Sequence, residues 1–184
     1  MDVFKIGLII LAAAAAACAG ALVLKVADGE AFYYGQVSFF SPNGKLPYGE
    51  GESAVKREIL ENGSRIVETV TQPGRAPGMR AVEIVTVLKR RGKTLAYDAS
   101  DAGATFSGRL IFKDASLKAW TYDIKLKEGG TITGTGELTP AGIKTSKLLS
   151  GTARPMLIKE DLGVIKPAEY ARRVAEMAPA RGAE

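Results

Sequence analysis

In three successive segments of this chain the apolar side chains return at every second residue. Along 104–112, Ala104, Phe106, Gly108, Leu110 and Phe112 share one face, and Thr105, Ser107, Arg109 and Ile111 share the other. Along 117–127, Trp120, Tyr122, Ile124 and Leu126 oppose Thr121, Asp123, Lys125 and Lys127. Along 130–139, Ile132, Gly134, Gly136 and Leu138 oppose Thr131, Thr133, Thr135, Glu137 and Thr139. A period of two belongs to extended strands with one buried face. Connections of only a few residues restrict neighbours to antiparallel pairing, because a parallel crossover needs a dozen or more.

Short extended runs and turn signals continue over most of the chain. Candidate strands are 31–40, 50–60, 64–72, 79–89, 93–98, 104–113, 117–127, 130–139, 142–149 and 155–160. Asn62-Gly63 has the composition of a two-residue type I′ turn, whose central positions both need φ > 0. Gly92, Gly103, Gly129-Gly130 and Pro140-Ala141-Gly142 mark further turns. An open sheet of such strands leaves two unpaired edges, and closure removes both. The expected fold is all-β: an antiparallel up-and-down barrel of about 8–10 strands over 31–166. Pro167 then opens a short helix over 167–178, in which Tyr170, Val174 and Met177 form an apolar stripe at i, i+4 and i+7. Residues 179–184 read as a tail.

Successive turns of a meander alternate between the two ends of the barrel. Segments 41–49, 73–78, 101–103 and 127–130 fall at one end, two of them long and rich in Pro and Gly. The turns at 61–63, 90–92, 114–116 and 139–142 fall at the other, where the chain also enters its first strand. One loose end and one tight end is what a ligand cup needs. Tyr97, Phe106, Trp120, Tyr122 and Ile132 are the expected ligand-lining residues; side chains of this kind equally fill the interior of a small barrel. Arg90, Arg91 and Lys93, together with Arg172 and Arg173, are expected at the entry end, either as a membrane-facing basic patch or as a solvated basic surface.

Residues 6–24, IGLIILAAAAAACAGALVL, are nineteen uncharged and almost wholly apolar positions. As a helix they would span roughly 28 Å, close to the hydrocarbon thickness of a bilayer, and a core helix is rarely apolar on all sides for this length. The organisation read from the sequence is a signal peptide or transmembrane anchor over 1–24, a linker over 25–30, the barrel, the helix and the tail. Three fates fit the first segment. Ala15-Ala16-Ala17-Cys18 resembles the lipobox of bacterial lipoproteins, which makes Cys18 a lipidation site. The segment can instead persist as a single membrane anchor, or Ala19-Gly20-Ala21 can direct ordinary signal cleavage. Lys5 and the amino terminus precede the apolar run, so the positive-inside bias places the bulk of the chain on the exported side, expected to be the periplasmic side of a bacterial membrane.

Cys18 is the sole cysteine, so no intrachain disulfide can form, and the roughly 160 residues after the apolar run must be stabilised by a core. The net charge is +5, but no nucleic-acid motif accompanies it, and no nucleic-acid partner is expected.

The meander of about ten strands, the segments Trp120-Thr-Tyr122-Asp-Ile124-Lys-Leu126 and Thr131 to Leu138, and the terminal helix together resemble the bacterial lipocalin-like (calycin) β-barrel lipoproteins. That resemblance implies a cup for an apolar small molecule or lipid.

Catalytic constellations are missing. The chain contains no histidine, which excludes a Ser-His-Asp triad, a Cys-His pair and histidine metal sites. Ser53-Ala-Val-Lys56 spells Ser-x-x-Lys, but on a strand those two side chains point to opposite faces. Asp98-Ala-Ser100-Asp101-Ala-Gly103 begins like a calcium loop, yet Arg109 stands where the twelfth-position glutamate belongs; a self-bonded turn explains it. Glu50 and Glu52 share a strand face without an aromatic sugar platform. The expectation is a non-enzyme without cofactor or metal: a membrane-attached barrel binding an apolar molecule or lipid. The alternative is an accessory or assembly subunit of an integral-membrane complex, held there by an uncleaved N-terminal helix packing through its small residues.

Overall fold

The computed structural model describes residues 24, 26–73 and 81–177. Cys18, the expected lipidation site, nearly all of the apolar 6–24 run and the tail lie outside the described residues, as does most of loop 73–78. Among the described residues no helix is long and apolar enough to cross a membrane.

Ten strands close into one antiparallel barrel: β1 (Gly29–Phe40), β2 (Pro47–Leu60), β3 (Arg65–Gln72), β4 (Val82–Arg90), β5 (Ala96–Asp101), β6 (Phe106–Phe112), β7 (Ala119–Leu126), β8 (Thr131–Thr139), β9 (Gly142–Ser150) and β10 (Met156–Ile165). Each pairs with its sequence neighbours, and β1 pairs with β10 from Phe32↔Ile165 to Phe40↔Leu157, so no edge is left. Helix α1 (Pro167–Met177) follows.

All ten expected strands are present, with β5 and β10 displaced the most. β5 starts at Ala96, not 93, because Thr94 holds the preceding turn: its hydroxyl donates to the Arg91 carbonyl and accepts from the Ala96 N–H. β10 runs on to Ile165 because Glu160 and Asp161, which read as a strand end, point to opposite sides of the wall, Glu160 inward and Asp161 outward to Lys144. The weak alternation of β2 also has a structural cause. Ser53, Ala54 and Val55 are buried in succession, Ala54 and its partner Thr71 on the outer face where α1 docks.

Turn 61–64 departs from the two-residue hairpin. Glu61, Asn62 and Gly63 all take positive φ. A left-handed glutamate is unfavourable, and the Asp28 carboxylate offsets it by accepting from the Glu61 and Asn62 N–H groups. Asp101 closes its own turn, accepting from the Thr105 N–H and hydroxyl and the Phe106 N–H.

The inward face is continuous around the barrel. Its lower half is packed: Ile66, Leu88, Tyr97, Leu110, Phe112 and Trp120 are buried in one cluster, while Val164 at the end of β10 stays 55% exposed. Leu117, at φ 56 in the β6–β7 connection, drops its side chain into the same base. Leu24 and Val26 pack against it from outside β1. Gly136 makes room for the indole, since a Cβ there would stand 2.5 Å from Trp120 Cζ2 and 2.6 Å from Nε1. The buried Tyr97 hydroxyl donates to the Gly63 carbonyl. Tyr97→Phe should cost about 1 kcal/mol in urea unfolding, the usual value of one net hydrogen bond plus a share of the stranded carbonyl.

Candidate ligand site

At the end away from the chain entry the barrel stays open. Val82 and Ile84 lie on the inward phase of β4, in register with Gln72 and Val70, yet remain 43% and 41% exposed. Phe39, Leu149 and Met156 are half-buried on the opposite side. A cavity of about 1150 Å³ occupies the β1–β2 and β9–β10 side of this mouth, lined by Val37, Phe39, Gly51, Leu149 and Met156 together with the charged Glu50, Glu52 and Arg154 of its rim. Small-molecule sites are of this order and mainly apolar.

Between mouth and base four charged side chains face inward. Lys147 Nζ lies 2.7 Å from Glu160 Oε2, which also accepts from the Thr145 hydroxyl at 2.6 Å. Arg57, 2% exposed, lies with Nη1 3.4 Å from Glu68 Oε1, and its guanidinium stands 4.8 Å from the Trp120 ring centre and 5.9 Å from that of Phe112. Lys147 also sits 5.3 Å from the Tyr122 ring centre. Burial alone would raise the Glu160 pKa, but the Lys147 charge and the bonds from Lys147 and Thr145 outweigh it and hold the carboxyl below its ordinary range. Burial would lower Lys147, and the Glu160 charge with its neighbours reverses that and holds the ammonium above its ordinary range. Burial pushes the Tyr122 phenol up to about 12, against the Lys147 charge and with those of Glu68 and Glu160.

All five sequence-expected lining residues face inward, but at two depths. Tyr97 and Trp120 belong to the packed base. Phe106, Tyr122 and Ile132 are partly buried above it. The sequence reading missed Arg57, Glu68, Lys147 and Glu160. A signal for them exists: each breaks an apolar phase, in Val55-Arg57-Ile59, Ile66-Glu68-Val70, Ile143-Lys147-Leu149 and Ile158-Glu160-Leu162.

Of the expected basic patch, Arg90, Arg91 and Lys93 stand at the β4–β5 turn, at the base. Arg172 and Arg173 do not join them. Helix α1 climbs the outer wall, with Tyr170 5.1 Å from Phe32 and Arg173 4.4 Å from the Tyr34 ring, and both arginines pair with Glu169 and Glu176. The helix stripe needs the apolar wall of β1, and docking there carries the arginines away from the base.

The Ser53 and Lys56 side chains point to opposite faces, as a strand requires: Ser53 is buried inside, and Lys56 pairs outside with Glu30 and Glu58. An outer hollow of about 760 Å³ over β3–β7 mixes Arg65, Lys89, Arg109 and Lys125 with Asp98 and Asp123, and so has no single charge preference. Among the described residues no group of three His, Cys, Asp or Glu side chains could hold a metal ion. No protein-family model, curated protein or solved structure matches this chain.

Proposed function

We propose that this is a non-enzymatic, membrane-attached extracytoplasmic barrel that holds an apolar small molecule or lipid in its open end. The observation that carries the reading is the contrast along one inward face. Tyr97, Phe112 and Leu117 at the base are at most 2% exposed, whereas Phe39, Leu149 and Met156, which line the mouth cavity, are only half-buried. Apolar side chains left uncovered inside a concave wall await an apolar occupant. The resemblance to lipocalin-like lipoproteins supports the same class of ligand. The apolar run at 6–24 supports attachment. Because the chain enters at the base, with Leu24 and Val26 seated there, the mouth would face away from the anchoring bilayer.

Native mass spectrometry of the full chain, released gently from its membrane, should show a retained apolar mass that is lost on denaturation. Apolar dyes should compete for it, and Met156→Asp, in the cavity lining, should weaken their binding at least tenfold. A protein that carries no extra mass and binds no apolar probe would refute the reading.

A further inference from the structure

The base of the barrel carries a charge pattern that the cup does not use. The end of β4 with the turn after it, 89–95, neighbours the β6–β7 connection, 113–118, through the Phe112 N–H, which donates to the Leu95 carbonyl. Together these two segments hold six basic residues, Lys89, Arg90, Arg91, Lys93, Lys113 and Lys118, against one acid, Asp114. Lys89, Arg91, Lys93, Lys113 and Lys118 are exposed, and among the described residues none of these five makes an ion pair. Asp98, in register with Lys89 on the neighbouring strand, is shared with Arg109 on its other side. The mouth shows no such excess: among the described residues Lys45, Lys127 and Arg154 are offset by Glu83, Asp101 and Glu128.

A basic turn by itself is a solvated surface. What singles this one out is its neighbour. The apolar run 6–24 ends at Leu24, and Leu24 sits on the base: a Cβ at Gly63 would stand 3.0 Å from Leu24 Cδ1 and 3.3 Å from Cδ1 of Leu117, a residue of the 113–118 connection. No spacer therefore separates the run from the basic face. With the run inserted in a bilayer, that face lies at the lipid surface, inside the Debye length of about 8–10 Å over which anionic head groups attract Lys and Arg. We infer that the base docks on the head groups of an anionic bilayer, with Lys89, Arg91, Lys93, Lys113 and Lys118 meeting net negative lipids and the mouth held toward the aqueous side. This rests on the membrane attachment proposed above and adds the lipid class and the face that meets it.

The test places the full chain in nanodiscs of phosphatidylcholine, alone or with about one third phosphatidylglycerol, and follows lysine acetylation by a neutral reagent, residue by residue, with mass spectrometry. At low salt Lys93, Lys113 and Lys118 should react roughly threefold or more slowly in the anionic discs than in the neutral ones, whereas Lys45 and Lys127 at the mouth should react alike in both. Raising the salt to about 0.5 M, which shortens the Debye length to about 4 Å, should erase the difference. Arg91→Glu/Lys93→Glu, confined to an exposed turn, should erase it at Lys113 and Lys118. Equal reactivity of the base lysines in the two lipids, or a difference that salt leaves unchanged, would leave the patch to water or to an acidic protein, and would overturn the docking with membrane attachment intact. Slowed reaction of Lys45 and Lys127 instead would mean that the mouth meets the lipid, and would overturn it likewise. A chain recovered outside both kinds of disc would refute the attachment itself and the docking with it.

Discussion

Replacing Glu160 by glutamine should destabilise the barrel by about 3–5 kcal/mol, whereas the double change Lys147→Met/Glu160→Met should be near neutral or stabilising. The asymmetry follows from burial. Lys147 and Glu160 face each other inside the wall at 2.7 Å, and only about a tenth to a fifth of their side-chain surface reaches solvent. Removing one partner strands a charge that has lost its hydration. Removing both restores an apolar lining continuous with Ile143, Leu149, Ile158 and Leu162. The pH dependence has a definite sign. Glu160 titrates below its ordinary value of 4.5 in the folded state, so its contribution is present above that value and disappears as pH falls through the folded one. Lys147 titrates above its ordinary value of 10.5, so its contribution is present below that value and disappears as pH rises through the folded one. The stability gap between wild type and Glu160→Gln, measured by urea unfolding, should therefore be flat across neutral pH and narrow in acid. A Glu160→Gln variant as stable as wild type at pH 7 would show that the pair is solvated.

The second large effect is expected at the seam where the barrel closes. Gly35 on β1 faces inward opposite Leu162 on β10. A Cβ at Gly35 would overlap the Asp161 carbonyl oxygen and come within 2.9 Å of Leu162 Cα. These are backbone atoms of a paired strand and cannot turn aside as a side chain can. Gly35→Ala should therefore cost about 3 kcal/mol or more, at or beyond the upper end of ordinary overpacking. Gly163, on the outward phase of the same seam, is the control. Its Cβ would meet nothing closer than 3.8 Å, so Gly163→Ala should stay within about 0.5 kcal/mol of wild type. Thermal unfolding of the two variants separates close approach from a general intolerance of the seam; equal effects would refute the argument.

Strand content was legible wherever one face meets water. β6, β7 and β8 alternate because their outer side chains are solvated, and their period of two survives in the sequence. β2 was hard to read because α1 covers part of its outer face and the barrel interior covers the other, so Ser53, Ala54 and Val55 are all buried and the period is erased. β10 read as short because a glutamate is ordinarily a solvent residue, and only its cross-strand partners Thr145 and Lys147 make an inward position tolerable.

The candidate site divides the same way. Its aromatic members were legible by phase, but phase carries no depth. Tyr97 and Tyr122 both face inward, yet one is packed in the base beside Phe112 and the other stands in the charged belt beside Lys147. Depth depends on strand tilt and on the register between strands, which no single segment encodes.

By itself the sequence determined the antiparallel meander, the inward set of β6–β8, the terminal helix and the absence of histidine chemistry, because these follow from local periodicity, turn residues and composition. Only the tertiary structure decided that β1 zips to β10, that α1 lies on the wall and takes Arg172 and Arg173 with it, and that Arg57, Glu68, Lys147 and Glu160 meet inside. Those outcomes depend on contacts between residues far apart in the chain, where burial and pairing, not local preference, set the free energy.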